Sequence, residues 1–140
     1  MKRTICLIVC CLLFAAVLPV SAFANESEVT PYWNNVIRVN YDFNISSGGE
    51  ATVHVSYIGY TGMTGATITT KIQKQQTNGT WVDVNIDEEN NEWVDTSSSI
   101  TFSTSHSVTV SRGTYRALID YEIRGSKPTD TVSDIIERTY

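Results

Sequence analysis

Beyond residue 11 the chain contains no cysteine, which removes disulfide staples, thiolate zinc sites and cysteine nucleophiles together. Histidine is nearly as scarce: His54 and His106 stand alone, 52 positions apart, with no second histidine at metal-ligand spacing. Acidic residues outnumber basic ones 15 to 10, for a net charge of −5. No basic stripe is available to draw in phosphate backbones or anionic lipid, so the charge disfavours nucleic acid and anionic membrane surfaces as partners. There is no internal repeat of solenoid or propeller length, and no amphipathic helical stretch.

Long apolar runs are missing everywhere except at the start. Met1-Lys2-Arg3 is a short basic end, Ile5 to Val20 an apolar segment broken by Pro19, and Ala22-Phe23-Ala24 a small-x-small cleavage site. This is the pattern of a signal peptide rather than of a membrane span, which needs roughly 20 unbroken apolar residues. Cleavage is expected after Ala24, giving a secreted chain without a membrane anchor. Cys6, Cys10 and Cys11 leave with the signal. Loss of Lys2 and Arg3 leaves 8 bases against 15 acids, or −7, a charge that serves solubility. Residues 25–140 number 116 (140 minus 24), enough for one hydrophobic core and too few for two. With no disulfide to help, that core must hold by apolar burial alone.

What the chain has in abundance is alternation. Ile37, Val39, Tyr41, Phe43 and Ile45 share one parity against Arg38, Asn40, Asp42 and Asn44, the signature of a strand buried on one face. Ser46-Ser47-Gly48-Gly49 breaks it, and Glu50 to Tyr60 follows with Ala51, Val53, Val55 and Tyr57 inward. After a glycine loop, Ala66, Ile68, Thr70 and Ile72 form the inward parity of a third strand. Asn78-Gly79 predicts a type I′ hairpin, with Thr80 to Asp87 returning on Val82, Val84 and Ile86. Glu88 to Ser99 is read as a connection. Ile100 to Phe102 and Val108 to Val110 are read as short strand pieces around a serine-rich loop that holds His106. Tyr115, Ala117, Ile119, Tyr121 and Ile123 give the clearest alternation, and Thr131 to Tyr140 a last strand after the Gly125 to Pro128 turn. About seven short strands in this length predict an all-β, two-sheet antiparallel sandwich.

Val110-Ser111-Arg112-Gly113-Thr114-Tyr115-Arg116-Ala117 resembles the corner before the sixth (F) strand of immunoglobulin-like domains, where Gly-x-Tyr follows a tight turn. The half-cystine two residues on is Ala117 here, and the core tryptophan of the third strand is missing, so the resemblance implies the architecture and not an antibody-type core. The chain also resembles small secreted proteins of unknown function from Gram-positive, gut-type bacteria. That resemblance is carried by Lys71-Ile72-Gln73-Lys74, Asn78-Gly79-Thr80-Trp81-Val82 and Arg112-Gly113-Thr114-Tyr115-Arg116. It implies a compartment and a fold, and brings no catalytic residues with it.

Candidate chemistry is sparse. Asp83-x-Asn85-x-Asp87 has the oxygen spacing that opens a calcium loop, but the EF-hand positions for Gly and Glu hold Glu88 and Val94. A looser calcium site from these carboxylates competes with a plain solvent-facing strand parity. Ser105, His106 and a neighbouring Asp can be drawn as a triad, yet no Gly-x-Ser-x-Gly elbow accompanies them. Trp33, Tyr60 and Trp93 fall at strand ends or in loops, where aromatics either cap a sandwich or stack on a ligand. The expectation is therefore a secreted, non-catalytic, immunoglobulin-like binding module, monomeric or weakly self-associating, for an extracellular protein or glycan. Its loops around Tyr60 to Gly65 and Asp87 to Ser99, or an exposed sheet edge, would meet the partner. A secreted toxin or antimicrobial protein is the alternative, and a hydrolase a more distant one. No cofactor or metal is called for.

Overall fold

A computed structural model describes residues 33–140 of the protein. The signal segment expected over 1–24 lies outside the described residues. Eight strands occur in the order β1 (Val36–Ile45), β2 (Glu50–Gly59), β3 (Met63–Gln75), β4 (Trp81–Asp83), β5 (Trp93–Ser97), β6 (Thr101–Thr109), β7 (Thr114–Gly125) and β8 (Asp130–Thr139). All pairings are antiparallel. One sheet has the order β1-β2-β6; the other runs β4-β3-β7-β8, with β5 also paired to β3. Strands one, two and six on one side and three, seven and eight on the other is the partition of an immunoglobulin-like sandwich.

The core lies between the inner faces, and the central strands supply most of it. Ala51, Val53, Val55 and Tyr57 of β2 are buried. So are Ala66, Ile68, Thr70 and Ile72 of β3 and the whole Tyr115 to Ile123 parity of β7. Burying a Val, Ile or Phe fully contributes about 1.5–3 kcal/mol, so this set of alternating positions is the main source of stability. The corner before β7 closes as the Gly-x-Tyr resemblance implies: the Tyr115 hydroxyl donates to the Ser111 carbonyl at 2.7 Å. Tyr115 is itself buried in the core.

Five expectations need correction. Val36, not Ile37, is buried at the start of β1, because a bulge shifts the register between Val36 and Arg38 and turns Ile37 outward. The Asn78-Gly79 hairpin is not type I′, since among its residues only Gly79 has positive φ (85°). Gly79 N–H donates to the Gln76 carbonyl at 2.9 Å and Gln76 N–H to that of Thr80 at 2.8 Å, a three-residue loop with its last residue left-handed. The fourth strand stops at Asp83, Val82 within it is exposed rather than inward, and the supposed connection contains the extra strand β5. The supposed serine-rich loop is the middle of the continuous strand β6, paired to β2 along its length from Thr101 to Thr109.

Candidate functional site

At one end of the sandwich, three segments meet: the residues leading into β1, the β2–β3 turn and the β7–β8 turn. Their meeting is organised by Asp130, the first residue of β8 and one of the few buried polar groups. Its carboxylate accepts main-chain N–H groups from Asn34 (2.8 and 2.9 Å), Asn35 (2.6 Å) and Val36 (3.2 Å). A strand that begins beside another sheet has unpaired N–H groups, and a carboxylate is a strong acceptor for them. Buried Asn35 extends the tie, donating from its side chain to the Pro128 carbonyl at 2.6 Å. Its own carbonyl accepts from Tyr60 N–H at 2.8 Å, and Ser126 N–H donates to Gly62 O at 3.2 Å. Gly125 has to be glycine here, because a Cβ would overlap the Asn35 amide.

These ties frame a cleft of about 380 Å³ whose lining includes Trp33, Asn34, Tyr60, Thr61, Ser126 and Lys127. Tyr60 is 47% exposed, while Trp33 is half-buried with one side against the core. Lys127 is the one charged residue among those lining it, and none is acidic. Asp130 sits behind the cleft with its oxygens engaged. Two aromatic side chains, amide and hydroxyl groups and a single ammonium can hold a ligand by stacking and hydrogen bonding. The lining carries no Asp, Glu, His or Cys; its side-chain hydroxyls are those of Tyr60, Thr61 and Ser126, and its one amine is that of Lys127.

The structure brings Trp33 and Tyr60 together and puts Trp93 elsewhere. Trp93 begins β5, opposite Thr70 of β3, and its indole stacks on the His106 ring with centroids 4.9 Å apart and planes 8° from parallel. His106 Nε2 lies 2.7 Å from Asp95 Oδ2. Since Trp93 and Asp95 belong to one sheet and His106 to the other, the cluster closes the open flank between β5 and β6. Of the expected Asp87 to Ser99 loop, Glu92 reaches Lys71 in β3, whereas Ser97 and Ser98 line a shallow cleft with Thr64 and Gly65 at the β3 end of the β2–β3 turn. Ser105 and His106 cannot cooperate, because consecutive strand residues face opposite ways. Ser105 instead meets His54 on the outer face, Oγ to Nδ1 at 3.0 Å.

The Asp83-x-Asn85-x-Asp87 series does not converge either. Asn85 Oδ1 accepts the Asp87 N–H at 3.0 Å, while Asp83 and Glu92 flank the Lys71 ammonium at 3.4 and 3.6 Å. Among the described residues no three His, Cys, Asp or Glu side chains gather as metal ligands would. Nor is any described helix long and apolar enough to cross a membrane. Sequence reasoning missed Asp130, Asn35 and Lys127. The only available signal was an acid directly after the Pro128-Thr129 turn, which reads equally well as a solvated loop residue.

Comparison with family models, curated proteins and solved structures returns no match, so the reading of this site rests on its own geometry.

Proposed function

We propose that the protein is a secreted, non-catalytic recognition module that holds an extracellular glycan in the cleft at the β1 end of its immunoglobulin-like sandwich. One observation carries this reading: Trp33 and Tyr60, distant in sequence, line the same cleft together with Asn34, Thr61 and Lys127, in a lining without acids. Sugar rings present C–H faces to aromatics and hydroxyls to amides, and the Lys127 ammonium favours an acidic sugar over a basic one. The leader-like start and the resemblance to small secreted bacterial proteins support an extracellular setting, in keeping with a core built without cysteine.

The test is a glycan array of neutral and acidic oligosaccharides, followed by calorimetric titration of the best ligand. Tyr60→Ala and Lys127→Ala should each weaken binding at least tenfold. Both side chains are largely solvent-facing, so stability should change by no more than about 0.5 kcal/mol. Trp93→Ala is the contrasting variant: it should bind normally but lose about 2 kcal/mol of stability, since its indole is part of the inter-sheet stack. An array without any ligand for the wild type, or undiminished binding by Tyr60→Ala, would overturn the proposal.

A further inference from the structure

We infer that two copies of this chain associate through the free edge of β6, in an antiparallel, two-fold symmetric pairing centred on Ser105. The starting observation is that β6 pairs with β2 and with no other described strand, leaving nine residues of main chain along an open edge. Exposed edges normally carry charges, proline, bulges or short lengths that discourage pairing. The other edges of this sandwich do. β1 has a bulge together with Arg38 and Asp42; β4 is three residues long; β5 is five long and carries Asp95; β8 carries Asp130, Asp134, Glu137 and Arg138. β6 has no acid, Lys, Arg, Pro or Gly, and its register to β2 is unbroken. On a chain of net charge −5, it is the long edge where two copies meet without acidic repulsion.

Main-chain polarity fixes the register. In an antiparallel strand the N–H and C=O of one residue point the same way, and successive residues alternate sides. Val110 N–H donates to Gly49 O, and Ile100 O accepts from Gly59 N–H, both at 2.7 Å, so even positions point to β2. Thr101, Ser103, Ser105, Ser107 and Thr109 therefore turn both groups to the open edge. A two-fold axis at Ser105 sets odd against odd: Ser105 on its own copy, Ser103 on Ser107 and Thr101 on Thr109. Five such pairs give up to about ten main-chain hydrogen bonds.

The side chains agree with that register. The strand Thr-Phe-Ser-Thr-Ser-His-Ser-Val-Thr reads nearly the same in both directions, so hydroxyl faces hydroxyl on the outer side. On the inner side, Phe102 of one copy lies against Val108 of the other. Both are only half-buried in the single chain. The symmetry is isologous and closes at two copies, joining two three-stranded sheets into one of six.

Sedimentation of the purified protein over a concentration series tests this, with Ser105→Pro as the critical variant. The Ser105 N–H faces the open edge, so proline there removes no main-chain hydrogen bond within the chain, as suits an edge strand, and costs only the exposed Ser105 Oγ to His54 Nδ1 contact. Wild type should shift to twice the monomer mass with rising concentration, while Ser105→Pro stays monomeric with an unchanged circular dichroism spectrum. In case proline unfolds the strand, Ser105→Cys provides a second reading. Directly opposed residues have Cα atoms about 5.5 Å apart, within disulfide reach, so oxidation should link two chains through position 105. Ser107→Cys should not link to itself, being opposite Ser103. A wild type that remains monomeric at its solubility limit, a folded Ser105→Pro that still dimerises, or equal cross-linking at 105 and 107 would refute the inference.

Discussion

Replacing Asp130 by alanine should be among the most damaging single changes to this protein, although the residue lies at the end of the sandwich. Its carboxylate receives three consecutive main-chain N–H groups, and the Asn34 side-chain amide approaches it at 3.3 Å. Asn35 and Val36 are buried, so water cannot take over those two donors without reopening the end of the core. Each hydrogen bond to a charged group contributes about 1.5–3 kcal/mol, and an orphaned buried donor costs about 1–3 kcal/mol. Counting the two buried donors and discounting the exposed one gives a loss of about 3–5 kcal/mol. At roughly 4 °C per kcal/mol for a domain of this size, Tm should fall by about 15 °C. Asp130→Asn should lose about half as much, because Oδ2 alone serves Asn35 and Val36 and its position keeps an acceptor. Urea unfolding gives the free energies, and amide hydrogen exchange reads the mechanism. In Asp130→Ala the Asn35 and Val36 amides should exchange faster than those of β7. If Asp130→Ala unfolds within 1 kcal/mol of wild type, or those two amides stay protected, the carboxylate is not what fixes the start of β1.

Thr70 offers a change in the opposite direction. Its side chain is fully buried and its Oγ1 has no hydrogen-bond partner, so Thr70→Val removes an unsatisfied polar atom at nearly constant shape. A gain of about 1 kcal/mol in urea unfolding is expected, and a loss would show that the hydroxyl is satisfied in solution. Alkaline unfolding should expose the opposite flank. The Tyr41 hydroxyl donates to the Asp134 carboxylate, and that bond, followed by burial and the Asp134 charge, pushes its pKa up to about 12. Folded Tyr41 thus keeps a proton that the unfolded chain gives up near pH 10, so its contribution is complete below pH 10 and is lost as pH rises towards about 12. Burial raises Tyr121 in the same direction. Tyr41→Phe should leave a shallower loss of stability between pH 10 and 12, and an unchanged slope would dissociate Tyr41 from it.

The central strands were legible in the sequence because both requirements on them coincide. A strand buried on one face and flanked on both sides must alternate strictly, and Ala66-Ile68-Thr70-Ile72 and Tyr115 to Ile123 do so. Legibility failed where burial is partial or the backbone irregular. In β6 the inward positions Phe102, Thr104, His106 and Val108 border an opening between the sheets and are only half-buried, so polar residues are tolerated and the two-residue period fades. Ile37 was misplaced because a bulge inverts the parity it would otherwise follow, and bulges leave no reliable mark in a single sequence. β5 was hidden behind a turn in which Asp87, Asn90 and Asn91 all adopt positive φ. Those residue types mark turns, but they do not say that a strand follows. Of the candidate site, the aromatics stood out and the framework did not. Asp130 and Asn35 act through main-chain groups of a segment about 95 positions away, a relation no local pattern encodes.

The split fates of the aromatics follow from how a sandwich without disulfides closes its sides. Two stacked sheets leave two flanks open, and each must be bridged by side chains long enough to span the gap. On the β1–β8 flank Tyr41 reaches Asp134, with Arg138 near Asp42 at 3.8 Å. On the β5–β6 flank the Trp93 indole covers His106, which Asp95 holds in place. The bridging tryptophan cannot also serve a ligand without loosening the flank it closes. The end of the sandwich is under no such demand, because the Asp130 and Asn35 hydrogen bonds already hold its segments together. Tyr60 is thereby left free to face solvent at the cleft that Trp33 also lines, so changes at Tyr60 or Lys127 test the proposed recognition without touching what keeps the sheets together.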